Sequence, residues 1–198
     1  MTESKEDSLY LIFQLLQNNK KYEGTLHRLE QESGLYFNMK YFEDLVSNGN
    51  LDEAENYLLG FINVDDNQIS CKTIFEIRKL KYMEALDRQD IGKAREILLK
   101  DLKVFESSDN DLLKQITYLF SFENFRDCEL ASHCGDTKSM RRGFLDLAKQ
   151  LIEANPKFHD KLKLPTLKDD RLRKLLEPSL VLKNTFLVLT PSIPKRFL

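Results

Sequence analysis

The chain has no tryptophan and few residues that break helices, only seven glycines and five prolines in 198 positions. That scarcity argues against a sandwich or barrel of many short strands, which needs turn residues about every 8–12 positions. Three cysteines, Cys71, Cys128 and Cys134, are too few and too irregular for a disulfide framework, and a reduced intracellular compartment is expected. No apolar run approaches the roughly 18 residues of a membrane span. The opening "MTESKEDS" has no apolar h-region, so neither a span nor a signal peptide is expected. A strong charge of either sign is also missing: the net charge is −2. A general nucleic-acid binder would need a basic field to displace counterions. What asymmetry exists lies late, where residues 157–198 hold ten Lys/Arg against four Asp/Glu.

What is present is helical periodicity, and it predicts an all-α fold of short antiparallel helix pairs. "DSLYLIFQLLQNN" sets Leu9, Ile12, Phe13 and Leu16 on one face, with Asp7 or Ser8 as N-cap. "KYEGTLHRLEQESG" stops at Gly34. The next helices start at Asn38 and at Asn50, the latter with Glu53 three residues on as a capping box. Asp66 or Asn67 caps "QISCKTIFEIRKLKYMEALD", and Asp90 caps "IGKAREILLKDLKVF". Further helices are expected at 111–120, at 137–154 between Asp136 and Pro156, and near 169–176. Connections are short, so neighbours should pack antiparallel. No repeat period relates the pairs.

Chemistry is sparse. Cys128, His133 and Cys134 lack the C-x₂-C spacing of a zinc site, and an adjacent His and Cys do not easily aim at one ion. There is no G-x-G-x-x-G, P-loop or H-E-x-x-H. The carboxylate pairs Asp65-Asp66 and Asp169-Asp170 stand where helices begin, as caps and dipole complements. Neither an enzyme nor a cofactor is expected. One face stands out. At 100° per residue, Gln68, Lys72, Phe75 and Lys79 fall within about 60° of one another. Phe75 is either core, with the lysine stems lying over its edge, or the floor of a groove whose rim is basic.

Read consecutively, "LEQESG", "FNMKYFED", "VDDN", "FEIRK", "EALDR", "KDLKVF", "ENFR", "GDTKS", "LIEANP", "PTL" and "RLR" occur in this order between residues 29 and 173. The series resembles the N-terminal domain of the plant TOPLESS and TOPLESS-related transcriptional corepressors over about residues 8–176. The resemblance implies a LisH–CTLH–CRA helical arrangement. It divides the chain into a disordered start at 1–7, LisH at 8–37, CTLH at 38–95, a CRA-like part at 96–176 and a divergent tail at 177–198. It also implies a nuclear adaptor that assembles as a dimer through LisH, extended to a tetramer by CRA. Leu9, Ile12, Phe13 and Leu16 suit that use. The implied ligand is the EAR motif of repressor proteins, L-x-L-x-L or D-L-N-x-x-P, held by Lys72, Phe75, Lys79, Phe105, Leu112, Leu119 and Leu151. Partners are then EAR-motif repressors and adaptors, further copies of the chain, and full-length relatives. Neither nucleic acid nor membrane is among them.

The chain departs from the family pattern at Gln68-Ile69, where Arg-Tyr is common, and at Ala131 and Cys134, where Leu and Tyr stand. Binding should be weaker or retuned, micromolar at best. The family continues into WD-repeat propellers whereas the sequence stops at Leu198, the expectation being a stand-alone domain. Two other functions fit such a module: a dominant-negative regulator of full-length relatives, or a scaffold subunit of a CTLH-type ubiquitin ligase. The tail repeats the alternate-leucine pattern at Leu180 and Leu182 and at Leu187, Leu189 and Pro191. Its basic flanks, Lys183, Lys195 and Arg196, oppose docking beside two lysines, so an apolar tail without a site is the expectation.

Overall fold

A computed structural model describes residues 3–17, 20–106, 110–122, 124–129 and 135–165. Every regular element among them is helical: α1 (Glu3–Gln17), α2 (Glu23–Ser33), α3 (Met39–Asn48), α4 (Leu51–Leu59), α5 (Gln68–Asp87), α6 (Ile91–Glu96), α7 (Asn110–Leu119) and α8 (Thr137–Ala154). The helix expected near 169–176 and the divergent tail lie outside the described residues.

Local chemistry sets most boundaries. Asn38, Asn67, Asp90 and Asp136 each accept a hydrogen bond from the backbone N–H three residues on, at 2.8–3.1 Å, which satisfies a donor that the first helical turn leaves without a partner. Gly34 and Gly49 follow their helices with φ of 63° and 85°, in the left-handed region that costs a side chain most. Gly49 is doubly constrained, since a Cβ there would lie 2.5 Å from the Arg141 guanidinium.

Three expectations are revised. Helix α1 begins at Glu3, ahead of Asp7 and Ser8; its opening residues are mostly good helix formers and nothing there breaks the helix. The capping box at α4 does not form. The Asn50 side chain makes no cap bond, and Glu53 instead accepts from the Tyr41 hydroxyl at 2.9 Å. The run 91–105 is not one α-helix. After α6 it widens into a π-helical segment, Ile97–Leu102, then tightens to a 3₁₀ turn, Lys103–Phe105. Arg78 of α5 donates to the Asp101 carbonyl at 2.8 Å, giving the irregular backbone a tertiary partner.

The chain divides into two compact units, one from Met1–Leu26 with Leu164–Leu198, the other His27–Lys163. In the first, Phe13 is fully buried and Leu11 and Leu26 nearly so, while Ile12 and Leu15 are 41% and 63% exposed. Gln14 donates to the Pro165 carbonyl at 3.1 Å. The second unit holds an aromatic centre. Phe37 meets Phe42, Tyr57, Phe61 and Phe158 with ring centroids 4.9–5.6 Å apart. Beside it, buried Glu30 accepts hydrogen bonds at 2.8 Å from the Tyr57 hydroxyl and is 2.8 Å from His27 Nδ1. Desolvation, with the Glu30 charge second, pushes the Tyr57 phenol far above its ordinary value.

Candidate functional site

Helices α5 and α8 pack antiparallel and are pinned at both ends. At one end the Asn67 amide, which caps α5, donates to Asn155 Oδ1 at 3.1 Å, and Asn155 donates in turn to Ser70 Oγ at 2.9 Å. At the other, Arg141 of α8 makes a bidentate pair with the nearly fully buried Glu84 of α5, at 2.7 and 2.9 Å, and Thr137 donates to Asp87 at 2.7 Å. The planar fork of Arg141 meets both carboxylate oxygens, so it fixes orientation as well as distance. Clamped this way, the two helices leave a cavity of about 300 Å³ between them. Glu76, Lys79, Leu80 and Met83 line it from α5, and Met140, Phe144 and Leu147 from α8.

Phe75 is 6% exposed and belongs to the core. Its ring meets Phe105 edge-on, with centroids 5.3 Å apart and planes at 83°, the arrangement in which a positive ring edge meets a negative face. Leu119 is buried in the same hydrophobic cluster. Two cations flank the aromatic pair: Lys79 Nζ lies 5.7 Å from the Phe75 centroid and Arg78 Cζ 5.7 Å from that of Phe105. Phe75 is thus core with the Lys79 side chain beside its ring, and it is not among the described residues that line the α5–α8 cavity.

The two lysines differ. Lys79 is half-buried and ion-paired with Glu76 at 2.5 Å. Lys72 is exposed. Leu151 is half-buried on α8, four residues beyond Leu147 and so on the same stripe. Leu112 lies in α7, and only its backbone is described. Gln68 is exposed and Ile69 half-buried at the start of α5; Ala131 and Cys134 lie outside the described residues, as does His133. Cys128 is buried and free. Glu76, Met140, Phe144 and Leu147 were not among the expected site residues. Their signal was nevertheless in the sequence, as an apolar stripe 140, 144, 147, 151 on α8 and an i,i+3 carboxylate–ammonium pair on α5.

Comparison with known proteins agrees with the family-like blocks. A family model described as a TPR1-like, CTLH-containing domain matches residues 38–162. The chain is similar to Protein TPR3 of Oryza sativa subsp. japonica, 57% identical over 180 residues, and to Topless-related protein 1 and Protein TOPLESS of Arabidopsis thaliana, at 56% and 55% over the same length. Each match covers 91% of this chain and 16% of the relative, so the chain spans about a sixth of the length of these proteins.

Proposed function

Because this chain belongs to the TOPLESS-related family, through its TPR1-like, CTLH-containing domain, we propose that it is a corepressor-type adaptor, acting in the nucleus, that binds short alternate-leucine peptides of the EAR class along α5. The observation that carries this reading is the Phe75–Phe105 pair with Lys79 over the Phe75 ring, Lys79 also lining the largely apolar cavity between α5 and α8, and Lys72 exposed one turn before Phe75 on the same helix. An extended peptide projects alternate side chains to one side. In this proposal the successive leucines seat against Phe75, Phe105, Leu119, Leu147 and Leu151, and acidic flanks are drawn to the lysines. Anchors buried in apolar pockets carry most of the affinity of such contacts, and rim charges mainly set rate and selectivity.

The test is fluorescence anisotropy with a labelled peptide containing L-x-L-x-L between acidic residues, beside a leucine-to-alanine control. Binding near 1 μM, about −8 kcal/mol, is expected for the first and none for the control. Lys72→Glu should weaken binding severalfold at low salt, with the loss shrinking as salt rises, because screening removes the attraction it reverses. Equal binding of both peptides would defeat the reading. Self-association through α1 belongs to the same proposal, since an adaptor that presents several grooves gains avidity for repeated motifs.

A further inference from the structure

One charged group in the cavity wall, Glu76, stands outside the proposed set of peptide-binding residues. Glu76 shares the cavity wall with Leu80, Met83, Phe144 and Leu147. Its side chain is only 14% exposed and holds the Lys79 ammonium at 2.5 Å. Among the described residues of that lining, Glu76 and Lys79 are the charged ones. Two lysines that look equivalent along α5 therefore offer different potentials. Lys72 is exposed near the N-terminal end of the helix, where the backbone dipole adds to its charge. Lys79 already carries an internal counter-ion.

We propose that Glu76 is a specificity-determining residue of the groove: an internal anion that keeps ligand carboxylates away from Lys79 and directs the acidic flank of a bound peptide to the Lys72 end. The proposal rests on the peptide reading above and deepens it. A ligand carboxylate arriving at Lys79 has two routes. It can displace Glu76, leaving that carboxylate unpaired among Leu80, Met83 and Phe144, or it can settle beside Glu76 as a like charge. Both are unfavourable in a partly desolvated cavity. A leucine side chain, a backbone N–H or a basic residue meets no such penalty. The groove thus accepts apolar anchors along its length and sorts charge by position, which would fix the direction in which a peptide lies.

The experiment compares three peptides with one alternate-leucine core, acidic on the N-terminal flank, acidic on the C-terminal flank, or neutral. Each is titrated against the unmodified chain, Glu76→Gln, Lys79→Gln and the double variant, at low and high salt. Glu76→Gln keeps the side chain's shape, and circular dichroism reports whether each variant stays folded. The unmodified chain should prefer one acidic flank over the other. Glu76→Gln should strengthen binding of the disfavoured acidic peptide roughly threefold to tenfold at low salt, leaving the neutral one unchanged. The double variant should show no such gain, since no cation remains to be freed. Lys79→Gln alone, which leaves Glu76 unpaired, should weaken the acidic peptides selectively. Equal gains for neutral and acidic peptides, or no gain, would overturn the role of Glu76 while leaving peptide binding intact. Failure of every peptide on every variant would sink both.

Discussion

Phe75 is a core side chain to which the proposed function also gives a part in recognition. It is buried against Phe105, so it cannot be removed without cost to the fold. Phe75→Ala should lower the unfolding free energy by about 3–5 kcal/mol, the range for an aromatic truncated in a packed core, read as a shift in the urea midpoint. An effect below about 1 kcal/mol would mean that the ring is not core. Loss of binding in that variant is uninformative unless it stays folded, which is why Lys72 is the better probe. Lys79 is a poorer one. Glu at 79 would face Glu76 and lose the contact with the Phe75 ring, mixing a stability cost into the binding measurement.

Between elements, the site depends on how α5 and α8 are tied at their ends. Before α5, Asp66 accepts from the Asn63 N–H at 2.8 Å and pairs with Lys157, in the turn after α8, at 2.8 Å. The lysine first and the backbone N–H second hold this carboxyl below its ordinary value of 3.8. A carboxylate with a lowered folded pKa contributes stability that is present above its unfolded pKa and is lost as pH falls through the folded value. Asp66→Asn should therefore melt about 1–3 °C lower at neutral pH, consistent with a surface ion pair of up to ~1 kcal/mol. The gap to the unmodified chain should close as the pH drops below about 4. A gap that persists unchanged at lower pH would assign the effect to packing rather than charge.

At the scale of the whole molecule, the proposal of self-association meets a rearranged α1. Of the four residues expected at the contact, Leu9 and Leu16 are half-buried and Phe13 is buried within its own chain. Ile12 and Leu15 are the large apolar side chains that α1 leaves open. Replacing both by Glu should shrink the species seen by light scattering at tens of micromolar (roughly the range where weak dimers form) while helicity is kept, since both positions face water in the single chain. Phe13→Ala should act differently, lowering the melting temperature first. An unmodified chain that is already monomeric at those concentrations would remove self-association from the proposal.

The sequence by itself determined what depends on neighbours three or four residues away. The caps at Asn38, Asp90 and Asp136 and the left-handed stop at Gly34 were legible, and the cap of α5 was narrowed to Asp66 or Asn67, of which Asn67 makes the bond, because a side chain bonding its own first turn, or a glycine closing one, needs no other element. The family resemblance likewise marked Phe75, Phe105 and Leu119 as one set, and all three are buried in one hydrophobic cluster. Only the tertiary structure decided the rest. It sent Glu53 to Tyr41 of α3 instead of the cap at Asn50, and it turned Phe13 inward and Ile12 outward on one apolar stripe. It bent the 91–105 run through a π turn braced by Arg78, and brought α8 against the Glu76–Lys79 pair so that both side chains line the α5–α8 cavity. Helical periodicity says which residues share a face. Which neighbour covers that face, and which charges are buried with it, depends on contacts between residues far apart in the chain.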